Sequence, residues 1–339
     1  MITLLVLFDF SKAFDTIPHK KLLKKLRALC RCSDRSLRWF FTYLHGRVQA
    51  VIDDGGSISA WLKTLAGVPQ GSVLGPLLFL IYINDLPTIL RYCKHVIFAD
   101  DTQIYLHCEP KDIENAINLL NEDVESVAAW ADLNGLKLNE MKTKVMIIGN
   151  RVNTSQAFLD ALPRVNLRGT PLEYTSKIVN LGLRLTSTLH WGDQVRYISM
   201  RVYTTLRSLR FYRRSFTRDL RKKLVESLIF PYFDFASAVF QDLNVTLSES
   251  LEILLKACVR YVIGNIPFRA HVTPHRISLG WLSAKRRREY FTAMQAYKSI
   301  ATLNPSYIES RFSGVSNHTT LRRSTKTSSS DTLLQLLTA

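Results

Sequence analysis

The sequence predicts an α+β fold in two parts: an antiparallel sheet with packed helices over residues 1–190, then an all-helical, basic segment. Three observations predict it. In the first part, short apolar runs bounded by Gly, Asp and Pro alternate with segments of helical period. Beyond about residue 190 only helical periods remain. The charge divides at the same place: 22 Lys and Arg face 18 Asp and Glu in 1–190, whereas 23 face 10 in 191–339. A chain of net charge +17 calls for a polyanionic partner, and most of that call comes from the second part.

Taken in order, Thr3-Leu-Leu-Val-Leu-Phe8 is a continuous apolar run of strand length and reads as a strand buried on both faces. His19–Leu29 and Asp34–Leu44 carry helical periods, the second ending near Gly46. Val48–Ile52 and Ile58–Leu65 flank Asp53-Asp54-Gly55-Gly56, a hairpin signal. Residues 72–90 read as an apolar helix. Val96–Ala99 and Thr102–His107 flank Asp100-Asp101 and predict a hairpin with two carboxylates at its tip. Ile113, Ala116, Leu120, Val124, Val127 and Ala131 form one helical stripe over 112–134, with Asp112 as cap and Gly135 as stop. Lys137–Ile148 reads as a loop and then a strand, 151–176 as irregular, and 177–186 as another strand. Val195–Leu209, Arg218–Phe230, Leu247–Val262 and Ser283–Leu303 read as helices, with Pro231 and Pro267 between them. From Ser313 the chain is Ser/Thr-rich and predicts disorder, so the expected domains are 1–190, 191–312 and a tail at 313–339.

Composition narrows the function classes. With 47% hydrophobic residues, 14 Gly and 11 Pro in 339 residues, the chain is globular and neither collagen-like nor low-complexity. Cys30, Cys32, Cys93, Cys108 and Cys258 are odd in number and irregular in spacing, which fits a reducing compartment. No C-x₂-C pair supplies a zinc ribbon. The apolar N-terminus lacks a basic flank and a cleavage site. The uncharged stretch Thr64–Asn84 is broken by Gly and Pro, and its continuous apolar part, Leu77–Ile83, is too short to span a bilayer. These features predict an intracellular protein, in cytoplasm and nucleus, with no membrane partner.

Asp9, Asp100 and Asp101 all sit where β-rich segments end. Converging aspartates repel one another unless cations lie between them, and two divalent metals about 4 Å apart would relieve that repulsion. Magnesium favours such hard oxygen ligands. On local physics alone, Asp100-Asp101 reads equally as a hairpin turn and Asp9 as a helix cap.

Phe8-Asp9-Phe10-Ser11-Lys12-Ala13-Phe14-Asp15, Gly67-Val68-Pro69-Gln70-Gly71-Ser72-Val73-Leu74-Gly75-Pro76 and Phe98-Ala99-Asp100-Asp101 together resemble the palm of a reverse transcriptase. They resemble most the non-LTR (LINE-type) retrotransposons of the jockey-like group. Ile83-Asn84-Asp85-Leu86-Pro87 and the later His271-Val-Thr-Pro-His-Arg276 with Leu279-Gly280-Trp281-Leu282 extend the resemblance over most of the chain. It implies a palm followed by a helical thumb. It also implies two Mg²⁺ ions, with Mn²⁺ as an alternative, held by Asp9, Asp100, Asp101 and the backbone carbonyl of Phe10. Phe14 would lie under the sugar and exclude a 2′-hydroxyl, and Gln70 and Gly71 would contact the incoming nucleotide. Leu138-Asn139-Glu-Met-Lys142-Thr143 resembles the motif whose lysine protonates the pyrophosphate leaving group. Asn180-Leu181-Gly182 resembles the primer grip. The implied partners are an RNA template, a DNA primer or target, and deoxynucleoside triphosphates, with no obligate protein partner. Read without the resemblance, Phe14 is a core aromatic, Gln70 a solvated helix-start amide and Lys142 a solvated lysine.

In the second part, Arg207, Arg210, Arg213, Arg214, Arg218, Arg221, Lys222 and Lys223 run beside an apolar stripe, which suits a thumb that tracks phosphates. The structural alternative is a solvated helix face. Lys285-Arg286-Arg287-Arg288 is a second cluster that reads as a nucleic-acid contact, a nuclear localisation signal, or a solvated face. Only eight residues precede Asp9, so the fingers that the resemblance implies are expected to be missing, as are the upstream endonuclease and a terminal zinc knuckle. Two rival readings stand beside a truncated polymerase. One is a catalytically dead nucleic-acid-binding remnant of a decayed or domesticated element. The other is a different palm-type enzyme such as a nucleotide cyclase, against which Pro69-Gln70-Gly71 argues.

Overall fold

A computed structural model describes residues 1–302 other than residue 268, together with residues 304, 305 and 308. The Ser/Thr-rich tail expected at 313–339 lies outside the described residues. The chain divides into two compact units, Met1–His190 and Trp191 onwards.

The first unit is built on β1 (Ile2–Phe8). Next come β2 (Phe10–Ser11), α1 (Ala13–Thr16), α2 (His19–Cys30), α3 (Asp34–Leu44), β3 (Val48–Gln49), β4 (Leu62–Lys63) and α4 (Leu74–Ile83). A 3₁₀ turn at Leu86–Ile89 leads to β5 (Lys94–Phe98), β6 (Asp101–Cys108), α5 (Ile113–Asn134), β7 (Lys137–Leu138) and β8 (Lys144–Ile148). The rest is α6 (Gln156–Asp160), β9 (Asn166–Leu167), β10 (Thr170–Pro171), β11 (Lys177–Asn180) and β12 (Leu183–Thr186). The main sheet has the order β5-β6-β1-β8, with β1 antiparallel to both neighbours.

That central place explains the unbroken apolar run of β1, because both of its faces are covered. Ile2, Leu4, Val6 and Phe8 point into the principal core with Leu78, Phe79 and Tyr82 of α4 and the stripe of α5. Each such fully buried side chain contributes roughly 1.5–3 kcal/mol. Leu5 points the other way, into a small cluster with Met146, Ile178, Leu7, Tyr105, Ile148 and Leu185. This second face is covered by the β11–β12 hairpin. The α5 stripe from Ile113 to Ala131 is buried as its period predicts. Gly135 ends the helix at φ 71°, with the Leu136 N–H returning to the Ala131 carbonyl at 2.9 Å.

Four expectations are corrected in this unit. The apolar helix expected over 72–90 ends at Ile83 and resumes as the 3₁₀ turn, since Pro87 cannot continue an α-helical ladder. The 48–65 hairpin pairs over only two residues a side, with a further bridge at Ile52–Ile58. The strand expected at 177–186 is two strands folded about Leu181-Gly182, whose φ values of 45° and 82° match a type I′ turn. The irregular 151–176 segment contains α6 and the β9–β10 pair.

The second unit is helical: α7 (Gly192–Phe211), α8 (Arg218–Leu228), α9 (Phe230–Asp234), α10 (Val245–Ile263), α11 (Thr273–Ser278) and α12 (Ala284–Thr302). Thr217 and Asn244 cap α8 and α10 by accepting the N–H groups of Leu220 and Leu247. The helix expected over 218–230 breaks at Ile229, because Pro231 has no N–H to return to the preceding turn. The core joins Val202 and Leu206 with Leu251, Leu254, Cys258 and Val262.

Candidate active site

The β1–β6 register runs from Ile2 opposite Cys108 to Phe8 opposite Thr102. One step further places Asp9 opposite Asp101, on the face that carries Leu5, Leu7 and Gln103. Directly opposed residues have Cβ atoms about 4.5–5.5 Å apart. Phe98 pairs with Asp101, so Ala99 and Asp100 form the two-residue turn between β5 and β6. Ala99 takes φ 53°, a position where such turns favour glycine, and thus stores strain beside the carboxylates. Burial holds the Asp101 carboxyl above the usual carboxylate range, and the negative charges of Asp100 and Asp9 push it further the same way. All three aspartates therefore lie near one corner of the sheet.

The Asn139–Thr143 segment wraps the backbone of Asp9. The Asn139 N–H donates to the Asp9 carbonyl at 2.8 Å, and the Asp9 N–H lies 3.5 Å from Thr143 Oγ1. Thr143 Oγ1 donates in turn to the Asn139 carbonyl at 2.8 Å. Phe10 pairs with Leu138 at a non-hydrogen-bonded position, so its carbonyl points away from that partner. Lys142 has an exposed side chain on the same turn, whose N–H donates to the Asn139 carbonyl at 3.2 Å.

Gln70 is exposed, and its Nε2 donates to Asp15 Oδ1 at 2.7 Å. The loop before it is sewn to the segment after Asp9: Val68 N–H to the Phe14 carbonyl and Gly67 N–H to the Ile17 carbonyl, both at 2.8 Å. Gly67 has φ +87°, and a Cβ there would stand 2.8 Å from the backbone of Asp15. Only glycine permits both. Gly71 also lies in the left-handed region, with open space around it. Phe14 stacks on Phe79 with ring centroids 4.4 Å apart and is only partly buried. It is thus a core aromatic on one face and an available surface on the other. The Gln70 loop also walls a cavity of about 720 Å³ to which Lys12, Arg47 and Lys63 contribute.

Among the described residues, no group of three or more His, Cys, Asp or Glu closes on a single point as a preformed metal site. The donor chemistry nevertheless fits a divalent cation, since the corner offers hard carboxylate oxygens and the charges of Asp100 and Asp9 raise the proton affinity of Asp101.

In the second unit six cations of the Arg207–Lys223 run divide. Arg207, Arg210 and Arg214 are exposed at the end of α7 and in the turn beyond it. Arg213 Nε and Arg221 Nη1 each donate to the Tyr261 carbonyl at 3.2 Å, where α10 ends. Lys222 lies 3.8 Å from Glu226. The Lys285–Arg288 cluster is split, with Lys285 and Arg286 exposed and Arg287 and Arg288 turned inward. Arg287 Nε bonds Asp234 at 2.8 Å, buried Arg288 reaches Ser248 Oγ at 2.9 Å, and Arg286 pairs with Glu289 at 2.8 Å. Burial lowers the pKa of Arg288, which Glu252 and Glu289 partly offset. The later motif is structural as well, with Trp281 Nε1 donating to Glu226 Oε1 at 2.7 Å and its ring set edge-on to Phe230.

Motif-based reading missed Asp15, Asn139, Thr143 and Gln103. The first three sit inside or beside the motifs, but their roles are hydrogen bonds across the fold, which spacing does not show. Gln103 carried the one available signal, a polar residue within an apolar strand run.

An antiparallel sheet backed by helices, with three aspartates near one edge, is a palm-type fold. The family described as Reverse transcriptase (RNA-dependent DNA polymerase) matches residues 2–202, and the chain belongs to that family. Among similar proteins is the "Probable RNA-directed DNA polymerase from transposon BS" of Drosophila melanogaster, 30% identical over 226 residues. That alignment covers 64% of this chain and 24% of the relative. The "RNA-directed DNA polymerase from mobile element jockey" of Drosophila funebris is 25% identical over 266 residues, which is 76% of this chain and 28% of that protein. The chain thus spans about a quarter of the length of these two relatives. Among solved structures, the apo telomerase of Candida tropicalis aligns at 12% identity and a TM-score of 0.39, over 91% of this chain and 52% of that one. Among the described residues, no helix is long and apolar enough to cross a membrane.

Proposed function

We propose that this chain carries the palm and thumb of an RNA-directed DNA polymerase of a non-LTR retrotransposon, extending a DNA primer on an RNA template. The observation that supports the reading is the register that ends with Phe8 opposite Thr102, which brings Asp9 and Asp101 next to one another along the two strands, with Asp100 in the adjoining turn. Asp9, Asp100, Asp101 and the Phe10 carbonyl are the residues that would hold two Mg²⁺ ions. Ions held there would supply Lewis-acid chemistry, neutralising the triphosphate and lowering the pKa of the primer hydroxyl. The chain's own groups do the rest. The Asn139–Thr143 wrap fixes the backbone of Asp9, so its carboxylate is presented without a search. The exposed face of Phe14 lies beside the Gln70 loop, where a ring can reject a 2′-hydroxyl by its bulk. Lys142, on the turn that covers Asp9, is the candidate proton donor to pyrophosphate. The unit from Trp191 supplies the thumb, through its exposed arginines.

Primer extension on an RNA template with deoxynucleotides and Mg²⁺ tests the reading. Wild-type extension that Asp9→Ala or Asp100→Ala lowers by roughly a thousandfold or more supports it. Salt-sensitive binding of the RNA–DNA hybrid without extension overturns it in favour of a nucleic-acid-binding remnant.

A further inference from the structure

Leu5, Leu7, Asp9, Asp101 and Gln103 share one face of the main sheet, and the β11–β12 hairpin covers that face. A lone two-stranded hairpin is marginally stable, so something must fix where it sits. Its base is anchored by backbone: Thr175 N–H to the Val145 carbonyl at 2.8 Å, Ser187 N–H to the Ser176 carbonyl and Gly149 N–H to the Ser187 carbonyl, both at 2.9 Å. Ile178 and Leu185 add the small apolar cluster. Towards the tip the hold is of another kind. Gln103 Nε2 donates to Asn180 Oδ1 at 2.7 Å, and Asn180 Nδ2 donates to Gln103 Oε1 at 2.9 Å.

Both partners of this reciprocal amide pair are strategically placed. Gln103 is 6% exposed and lies two residues along β6 from Asp101. Asn180 is the last residue before the Leu181-Gly182 turn. Asp101, Thr102, Gln103, Asn180, Leu181 and Gly182 line a cavity of about 240 Å³ between the strand and the tip. We propose that the Gln103–Asn180 pair is a positioning clasp that sets the height of the Leu181-Gly182 turn over the Asp9–Asp101 corner, and so the placement of the strand end that reacts there. The placement half rests on the polymerase reading above; the clasp itself does not.

Geometry makes the pair demanding. Each amide satisfies one donor and one acceptor of the other, so truncating either strands two polar atoms in a half-buried site. Exchanging the two residues keeps the summed side-chain length and both hydrogen bonds. The test uses the full chain as wild type, Asn180→Ala, Gln103→Ala and the exchange Gln103→Asn/Asn180→Gln. Hydrogen exchange is followed at residues 177–186, with α5 as internal control. A 2-aminopurine at the primer terminus of a bound DNA–RNA hybrid, in Ca²⁺, reports how firmly that terminus is held. Primer extension gives kcat and KM.

The expected result is exchange at 177–186 accelerated about tenfold in both alanine variants, with α5 unchanged. The 2-aminopurine signal rises with it. The kcat for extension falls about tenfold while KM for the nucleotide moves less than about twofold, and the exchanged pair recovers all three. A merely structural role would change α5 and the hairpin together. Unchanged hairpin exchange, or a primer-terminus signal indifferent to Asn180→Ala, overturns the clasp. If wild type binds the hybrid but extends nothing, the polymerase reading fails by itself, and the exchange and fluorescence readouts still decide the clasp.

Discussion

Asp101 shows how far residue-level reading reaches. Its place at a strand end was legible, because a doubled carboxylate after an apolar run marks a turn. Its partner was legible only through the resemblance, since a register that opposes residues 9 and 101 is not written in either segment. Gly67 carries the firmest residue-scale prediction. Its φ of +87° and the 2.8 Å approach of the Asp15 backbone leave no room for a methyl group. Gly67→Ala is expected to cost roughly 2 kcal/mol or more, because strain and a backbone clash add. Urea unfolding of the pure variant checks this, and a midpoint equal to wild type would refute the proposed loop geometry. Ala99 predicts the opposite sign. At φ 53° it carries a left-handed penalty of about 1–2 kcal/mol that glycine avoids. Glycine's extra unfolded-state entropy returns about 0.4–1 kcal/mol, so Ala99→Gly should raise Tm modestly. A lower Tm would contradict the strained turn.

At the scale of elements, α5, β1 and the β5–β6 hairpin were read correctly, whereas the two-residue strands were not. The α5 stripe and its Gly135 stop survive because twenty-two residues repeat one signal. The two-residue strands β2 and β7 have no period to read and exist because Asn139 and Thr143 hold the Asp9 backbone. What holds β5 in place was equally hidden. Asp123 is fully buried within α5, and its carboxylate accepts the N–H groups of Arg91, Tyr92 and Cys93 at 2.9, 3.0 and 2.7 Å. A charge on a buried helix face looks like an error in the sequence, yet here three backbone donors satisfy it. Asp123→Ala would leave those donors buried without an acceptor and should cost roughly 3 kcal/mol or more, whereas Asp123→Asn keeps one acceptor oxygen and should cost less. Chemical denaturation of both variants checks the ranking. Equal losses below about 1 kcal/mol would mean that β5 is held by other contacts.

For the whole molecule, the net charge of +17 is the property most easily misread as one surface. The surplus in the second unit is not all outward-facing, since Arg213 and Arg221 converge on the carbonyl end of α10 and Arg287 and Arg288 tie α12 to Asp234 and Ser248. Counting cations could not separate these from Arg207, Arg210 and Arg214, because a guanidinium bound to a helix terminus has the same letter as one in solvent. The separation predicts two behaviours. A cation that neutralises a phosphate contributes about 0.7–0.9 to the slope of log affinity against log salt. Arg207→Ala, Arg210→Ala and Arg214→Ala should each flatten the slope for an RNA–DNA hybrid by about that amount and leave Tm unchanged. Arg213→Ala and Arg221→Ala should leave the slope intact and each lower stability by about 1 kcal/mol, through lost bonds to the α10 terminus. Salt titrations by fluorescence anisotropy, paired with thermal unfolding, separate the two groups. If Arg213→Ala flattened the slope as Arg207→Ala does, its guanidinium would be reaching the nucleic acid instead of Tyr261, and the division of the basic surface drawn from these contacts would fall.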